Sequence, residues 1–116
     1  MNLIISEMTD NILKIEPEVS RIDASVAGKF KELLFEKIDN GNARMILDLN
    51  QVKFIDSSGL GVIVATYKKL KVNGKLVILT KSQVILTMFK ITRLEKVLTI
   101  VNSENILDAM KLFDKE

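Results

Sequence analysis

Beyond residue 42, the sequence alternates short apolar runs with longer stretches whose apolar residues recur every three or four positions. The short runs are typical of buried strands, and the longer stretches are typical of amphipathic helices. Strands that alternate with helices predict a mostly parallel sheet with right-handed crossovers. The predicted strands cover residues 45–55 with a brief interruption at 50–51, residues 76–79 and residues 97–101, and a helix follows each of them.

The first part of the chain adds a hairpin and one more helix. Two short apolar segments flank an Asp-Asn pair at residues 10–11, which is typical of a tight turn. Apolar residues then recur at helical spacing over residues 26–38, with Asp23 or Ser25 as the N-cap. The predicted fold class is therefore α/β. We expect one domain over residues 1–116, with a mostly parallel sheet, an N-terminal hairpin and about four helices.

Composition limits the chemistry that the chain can perform. The sequence has no cysteine and no histidine, which excludes disulfides, thiol nucleophiles, Ser-His pairs and metal sites built on either residue. We therefore expect no enzyme activity, no metal and no cofactor. The net charge of +2 gives no nucleic-acid signal. The apolar runs fall short of the ~18 residues typical of a membrane span, and no signal segment begins the sequence, so we expect a cytoplasmic location and no membrane partner.

One stretch departs from this even balance of charge. Residues 57–94 contain no acid, but they contain seven basic residues. Solvated outer faces and charges that protect sheet edges account for such a pattern in many domains. A docking surface for an acidic partner is the alternative interpretation.

Residues 54–61 join an apolar run directly to a helix through an acid, two hydroxyls and two glycines. Asp56, Ser57 and Ser58 are all capable N-cap residues. A hydroxyl in the first turn also lies where backbone N–H groups and the helix dipole stabilise added negative charge. A phosphate on Ser58 would be well placed there and would add about −1.5 to −2 charges. The residues alone leave both capping and phosphorylation open.

The helix that follows carries apolar residues on two faces. At about 100° per residue, one face should pack on the sheet, and the opposite face, which begins at Ser58, is small and apolar as well. If exposed, such a stripe would let a partner approach closely and bury apolar area. Coverage by another element of the same fold is the alternative. The predicted sheet-facing set is Leu60, Ile63, Val64, Tyr67 and Leu70, and the opposite set is Ser58, Gly61, Val62, Ala65 and Lys69.

Other interpretations of residues 54–61 fail on their motifs. A nucleophile elbow needs Gly-x-Ser-x-Gly and a histidine, and a phosphate loop needs Gly-x-x-x-x-Gly-Lys-Ser/Thr; the sequence contains neither motif. A receiver-like phospho-aspartate site needs an early pair of acids for Mg²⁺, and that pair is missing beside Asp23 and Asp56. The serines are therefore interpreted as residues that another protein can modify rather than as catalytic nucleophiles.

Residues 56–63, Asp-Ser-Ser-Gly-Leu-Gly-Val-Ile, resemble the STAS domain, specifically the small anti-sigma factor antagonists of bacteria. The resemblance extends over essentially the full length and implies a single STAS-like domain. It also implies that the chain binds a serine/threonine kinase that acts as an anti-sigma factor. This binding frees a sigma factor. The kinase then phosphorylates Ser58, the phosphorylated protein releases its partner, and a phosphatase resets the switch.

The resemblance also implies which residues meet the partner. In this family the junction and the adjoining helix form the partner surface, which favours exposure of the second face of the helix. Two positions differ from the family pattern: Arg21 stands where an acid is usual, and Arg93 stands where glycine is common. The implied partner-binding residues are Asp23, Asp56, Ser57, Gly59, Gly61, Val62, Ala65 and Lys69.

Three other roles stay open on the sequence. The same fold could serve as a scaffold subunit of a stress-signalling assembly or as an accessory subunit of a lipid-transporting ABC system. A nucleotide-binding protein that uses the basic stretch is the third, and the missing phosphate loop counts against it.

Overall fold

The computed structural model describes residues 3–114, and the main elements follow each other in the predicted order. Four α-helices alternate with the strands, and two short 3₁₀ turns lie near the C-terminal end. The strands are β1 Ile4–Thr9, β2 Ile12–Pro17, β3 Arg21–Ile22, β4 Arg44–Asp48, β5 Phe54–Ile55, β6 Lys75–Leu79 and β7 Thr99–Val101. The helices are α1 Ala24–Asp39, α2 Ser57–Leu70, α3 Gln83–Ile91 and α4 Ile106–Met110, and the 3₁₀ turns are Leu94–Lys96 and Lys111–Phe113.

Five of the strands form one sheet in the order β1-β2-β4-β6-β7. β1 and β2 are antiparallel, and every other neighbouring pair in this sheet is parallel. The hairpin therefore forms one edge, and the strands that are joined through helices form the rest. This arrangement confirms the predicted α/β fold with a mostly parallel sheet, an N-terminal hairpin and four helices.

The hairpin turn uses the Asp-Asn pair that the sequence singled out. Asp10 and Asn11 both have positive φ, 51° and 67°. Two successive residues with positive φ are what a two-residue type I′ turn needs, because its twist matches that of the flanking strands. Asparagine and aspartate adopt this conformation more readily than other residues with a side chain.

The sheet is covered on both faces. Alternate residues of a strand point to opposite sides, so Met45 and Leu47 of β4 pack with the core under α1, α2 and α3, whereas Ile46 packs against α4. The α4 side is the smaller cluster and is closed by Ala109 and Phe113. The apolar excess in the composition is thus used to bury both faces of the central strands.

One structural feature was missed from the sequence. β3 was not predicted, and β5, which was expected to continue the main sheet, instead pairs with β3 in a separate two-stranded sheet. Strands of two residues show no periodicity, so their pairing is set by long-range packing rather than by a local pattern.

The backbone conformation of Arg93, the residue after the C-cap of α3, leads to a first prediction about stability. Arg93 has φ 63° and ψ 13°, a left-handed conformation that costs a residue with a Cβ about 1 kcal/mol or more and that glycine adopts freely. We expect Arg93→Gly to raise the free energy of unfolding by about 1 kcal/mol in urea denaturation. Lys90→Gly, an exposed change inside α3, should lower it by roughly the same amount. An unchanged or lower stability of Arg93→Gly would contradict this account.

Candidate functional site

The two short strands bring the N-termini of α1 and α2 together. β3 and β5 pair in parallel with Ile22 opposite Ile55, and both isoleucines are fully buried. Each is followed at once by an aspartate that caps a helix, Asp23 for α1 and Asp56 for α2. The Asp56 backbone N–H donates to the Ile22 carbonyl oxygen at 3.1 Å. The strand pairing therefore places the two helix caps beside each other.

Asp56 holds the first turn of α2 with one carboxylate oxygen. Its Oδ1 accepts hydrogen bonds from the backbone N–H groups of Ser58 at 2.9 Å and Gly59 at 3.1 Å. The Ser58 hydroxyl also donates to Oδ1 at 2.5 Å. The hydrogen bond from this hydroxyl, followed by that from the Gly59 amide, holds the pKa of Asp56 below its ordinary value against the opposing effect of burial. Asp56 is therefore an ionised acceptor that fixes the direction of the Ser58 hydroxyl.

Asp23 repeats this arrangement at the start of α1. Its Oδ1 accepts from the Ser25 backbone N–H at 3.0 Å and from the Ser25 hydroxyl at 2.6 Å. The Ser25 hydroxyl is the main reason why the pKa of Asp23 lies below its ordinary value, and the nearby charge of Asp56 acts in the opposite direction. The site thus contains two Asp-x-Ser caps and two neighbouring carboxylates. Sequence reasoning identified Asp23 and Ser25 as cap candidates but missed this repetition.

Arg21 and Phe54 form the outer side of the same two-stranded sheet. They are opposite each other in register, with the Arg21 guanidinium carbon 4.4 Å from the centre of the Phe54 ring. Arg21 Nε also lies 3.7 Å from Asp23 Oδ2, and the arginine side chain remains 60% exposed. Arg21 is therefore held in a fixed place beside the caps. Its exposure and its contacts could not be predicted from the sequence.

Gly59 has a packing role that the sequence did not predict. It is buried, and a Cβ at this position would lie 2.6 Å from the Ile22 carbonyl oxygen and 2.6 Å from the Ile55 Cγ2 atom. The absence of a side chain allows the start of α2 to lie directly on β3 and β5. The residue is therefore covered by its own domain, and its contribution to a partner surface stays a prediction.

Part of the stripe that was expected to be exposed on α2 is buried instead. Val62 is only 5% exposed, and it belongs to the main core. Ala65 and Lys69 are half-buried, and Lys69 Nζ lies 3.0 Å from Asp39 Oδ1 and 5.0 Å from the centre of the Phe35 ring. Both of these partners belong to α1. This part of the stripe is therefore covered by the fold itself, which was the alternative interpretation, whereas Gly61 of the same stripe is exposed.

The exposed residues of α2 form a line along the helix, here called the exposed line, which differs from the predicted stripe. Ser57, Gly61 and Lys68 are exposed and Val64 is half-buried, at successive spacings of four, three and four residues. Ser58 lies at the margin of this line and is half-buried. Of the predicted sheet-facing residues, Ile63 and Leu70 are fully buried, and the remaining ones are half-buried: Leu60, Val64 and Tyr67.

Two searches within residues 3–114 bear on other kinds of site. In this described part of the chain, no group of three or more His, Cys, Asp or Glu residues is placed to hold a metal ion. None of its helices combines the length and the apolar character needed to cross a membrane. What the arrangement can do chemically is to present an oriented hydroxyl at a helix N-terminus, next to two ionised carboxylates.

Comparison with known proteins gives consistent matches. The family model of the STAS domain matches residues 4–106. An anti-sigma-B factor antagonist of Listeria monocytogenes is 36% identical over 84 residues, which cover 72% of this chain and 74% of that protein. The matched region includes most of both chains, so the similarity is not confined to one motif.

Solved structures agree with the fold. An anti-sigma factor antagonist from Mycobacterium paratuberculosis superposes with a TM-score of 0.85 at 20% identity, covering 94% of this chain and 91% of the other. The Bacillus cell fate determinant SpoIIAA in its phosphorylated form superposes with a TM-score of 0.68 at 21% identity, covering 92% and 98%. At such identities these likenesses establish the architecture alone. The family model and the Listeria relative show that the chain belongs to the STAS domain family, among the anti-sigma factor antagonists.

Proposed function

We propose that this protein binds a serine/threonine kinase that acts as an anti-sigma factor, and that phosphorylation of Ser58 ends the binding. While bound, it would keep the kinase from a sigma factor, and a phosphatase would restore the unmodified form. The observation that carries the proposal is the Ser58 hydroxyl, which donates to Asp56 at 2.5 Å in the first turn of α2. A kinase supplies ATP, Mg²⁺ and a catalytic base, so the substrate protein needs only a positioned hydroxyl.

The carboxylates next to Ser58 explain how a phosphate could end the binding. A phosphoserine carries about −1.5 to −2 charges, and it would replace a hydroxyl that now donates to the Asp56 carboxylate. Like charges brought together in an interface cost several kcal/mol, whereas a tenfold loss of affinity needs only about 1.4 kcal/mol. A local change of charge is therefore sufficient for release, without refolding of the domain.

The names of similar proteins support the proposed function. The Listeria relative is named as an antagonist of an anti-sigma factor, and the Bacillus protein has a structure described as its phosphorylated form. Extending both properties to this chain is part of our proposal. We also propose a cytoplasmic location, one STAS domain over residues 1–116, and no nucleic acid or membrane among its partners.

The partner surface that we propose combines the caps with the exposed line of α2. It contains Asp23, Asp56 and Ser57, continues to Gly61, and leaves the half-buried Ala65 and Lys69 at its margin. Gly61 is exposed inside a helix, and a Cβ there would meet no atom within 4 Å. Gly61 belongs to the proposed surface because it lies on the exposed line of α2, about one turn after Ser57, where a larger side chain would stand between the helix and a partner.

Gly28 offers a matched control for this surface. It is also exposed in a helix interior, with no atom within 4 Å of a Cβ. We expect Gly61→Leu to weaken kinase binding by at least about tenfold, because the added side chain blocks the docking surface. Gly28→Leu should bind as the wild type does, and both variants should be slightly more stable in thermal unfolding. Equal binding by both variants would contradict a partner surface at Gly61.

The direct test is incubation with the kinase of the host organism and ATP, followed by mapping of the phosphate by mass spectrometry. We expect a single phosphate on Ser58 and a stable complex only before transfer. Co-purification with a membrane ATPase, or with a large assembly that contains no sigma-factor kinase, would instead favour the accessory and scaffold roles. Binding of ATP or GTP by the isolated protein in equilibrium dialysis would favour the nucleotide-binding role.

A further inference from the structure

The two edges of the five-stranded sheet are protected unequally. β7, at one edge, has three residues, whereas β1, at the other, has six. Folded proteins usually protect an edge strand by keeping it short or by adding proline, lysine or a bulge. β1 contains no proline, lysine or arginine, and its register with β2 is continuous over its whole length. Glu7 is the one charged side chain of β1, so this longer edge is only weakly protected against pairing with another strand.

Apolar side chains of β1 are open to solvent. Ile5 is 46% exposed and Met8 is 53% exposed. They are three positions apart in the strand, so they point to opposite faces of the sheet. The single charge of the strand, on Glu7, lies opposite Lys14 of its own hairpin. An edge with apolar residues on both faces and a locally balanced charge suits another apolar strand better than a charged partner.

We propose that β1 pairs antiparallel with β1 of a second copy of this chain about a two-fold axis at Ser6, which joins the two sheets into one. A two-fold axis perpendicular to the sheet keeps each face on its side, so a residue opposes only residues of its own face. With the axis at Ser6, Met8 of one copy lies opposite Ile4 of the other, and Ile5 lies opposite Glu7. An axis at Glu7 would set two carboxylates against each other, which destabilises a sheet.

This pairing is self-complementary and closed. A contact of β1 with the shorter β7 of another copy would be head-to-tail and would lead to a ring or a filament rather than to a closed pair. β1 contributes no residue to the caps at Asp23 and Asp56, so the dimer proposed here does not depend on the kinase proposal. A single strand on each side buries much less than the roughly 1,600 Å² of a standard interface. The dimer should therefore form only as the concentration rises.

Sedimentation equilibrium over a range of concentrations tests the proposal on the intact protein. The apparent mass should rise from 13.1 kDa toward twice that value and no further. Ser6→Lys should remain a monomer, because two ammonium groups would face each other at the axis. Thr99→Lys, a matched change on the exposed first residue of β7, should associate as the wild type does. A mass of 13.1 kDa at every concentration, a mass beyond the dimer, or association of a folded Ser6→Lys would overturn the proposal.

A cross-linking experiment fixes the register. The sequence contains no cysteine, so Ser6→Cys introduces a single thiol. Directly opposed residues in antiparallel strands have Cα atoms about 4.5–5.5 Å apart, within the range of a disulfide. With oxidised glutathione as the oxidant, two such thiols should form one disulfide and give a covalent dimer on a non-reducing gel. Glu7→Cys would place its thiols on a diagonal and should cross-link at least about tenfold more slowly. Cross-linking at equal rates, or by Glu7→Cys alone, would exclude the axis at Ser6.

Discussion

Ser58→Ala is expected to abolish phosphate transfer from the kinase while preserving the complex with it. The substitution removes the only atom that would accept the phosphoryl group, but Asp56 keeps its hydrogen bonds from the Ser58 and Gly59 amides. The first turn of α2 should therefore keep its structure. Transfer from radiolabelled ATP measures the first effect, and isothermal titration with the kinase in the presence of a non-hydrolysable ATP analogue measures the second.

Three further variants make the assignment to Ser58 specific. Ser57→Ala should still be phosphorylated, because the oriented hydroxyl belongs to Ser58. Ser25→Ala is the sharper control, since Ser25 donates to Asp23 in the same way at the neighbouring cap. It should also retain full incorporation. Ser58→Asp should weaken kinase binding by at least about tenfold, through repulsion from the adjacent carboxylates. Loss of the phosphate in Ser57→Ala, together with its retention in Ser58→Ala, would show that the assignment is wrong.

The second large effect is expected at Gly59. A methyl group there would lie 2.6 Å from the Ile22 carbonyl oxygen, and a backbone atom in a paired strand cannot move away as a side chain could. We expect Gly59→Ala to lower the free energy of unfolding by roughly 3 kcal/mol, at the upper end of the usual cost of overpacking. This is a large share of the 5–15 kcal/mol by which a domain is typically stable. Urea denaturation followed by circular dichroism measures the change.

Gly61→Ala is the matched comparison for this effect. It introduces the same methyl group into the same helix two residues later, where it meets no other atom. Alanine is the better helix former, so this variant should gain about 1 kcal/mol. Opposite signs for the two substitutions would show that the contact with β3, rather than helix propensity, decides the effect at Gly59. A stability of Gly59→Ala equal to that of Gly61→Ala would contradict the packing of α2 on the two short strands.

Much of the fold could be predicted because local physical chemistry determines it. The Asp-Asn pair at residues 10–11 tolerates positive φ and forms the hairpin turn. Apolar runs such as β6 are strands that are buried on both faces, which is why they show no alternation. Asp56 and Ser82 cap helices whose starts were expected near these residues, since each side chain accepts a hydrogen bond from the first turn.

The orientation of α2 could not be predicted in the same way. Its sequence is apolar on two sides, and periodicity alone left open which of them faces solvent. In the structure Val62 is buried in the core, and Lys69 pairs with Asp39 of α1, so these two positions of the second side are covered by the fold. The exposed line then begins at Ser57 rather than at Ser58. A contact between residues about thirty positions apart leaves no local signal that would have decided this.

The sequence by itself determined the four helices, the strands of the main sheet and their order, and the resemblance to a family, which in turn names Ser58. Tertiary structure decided that β3 and β5 pair apart from the main sheet and that their pairing sets the caps Asp23 and Asp56 side by side. The physical reason is the range of the interactions. Caps, turns and periodicity act within a few residues, whereas the neighbourhood of Ser58 depends on strands and helices that meet only when the core forms.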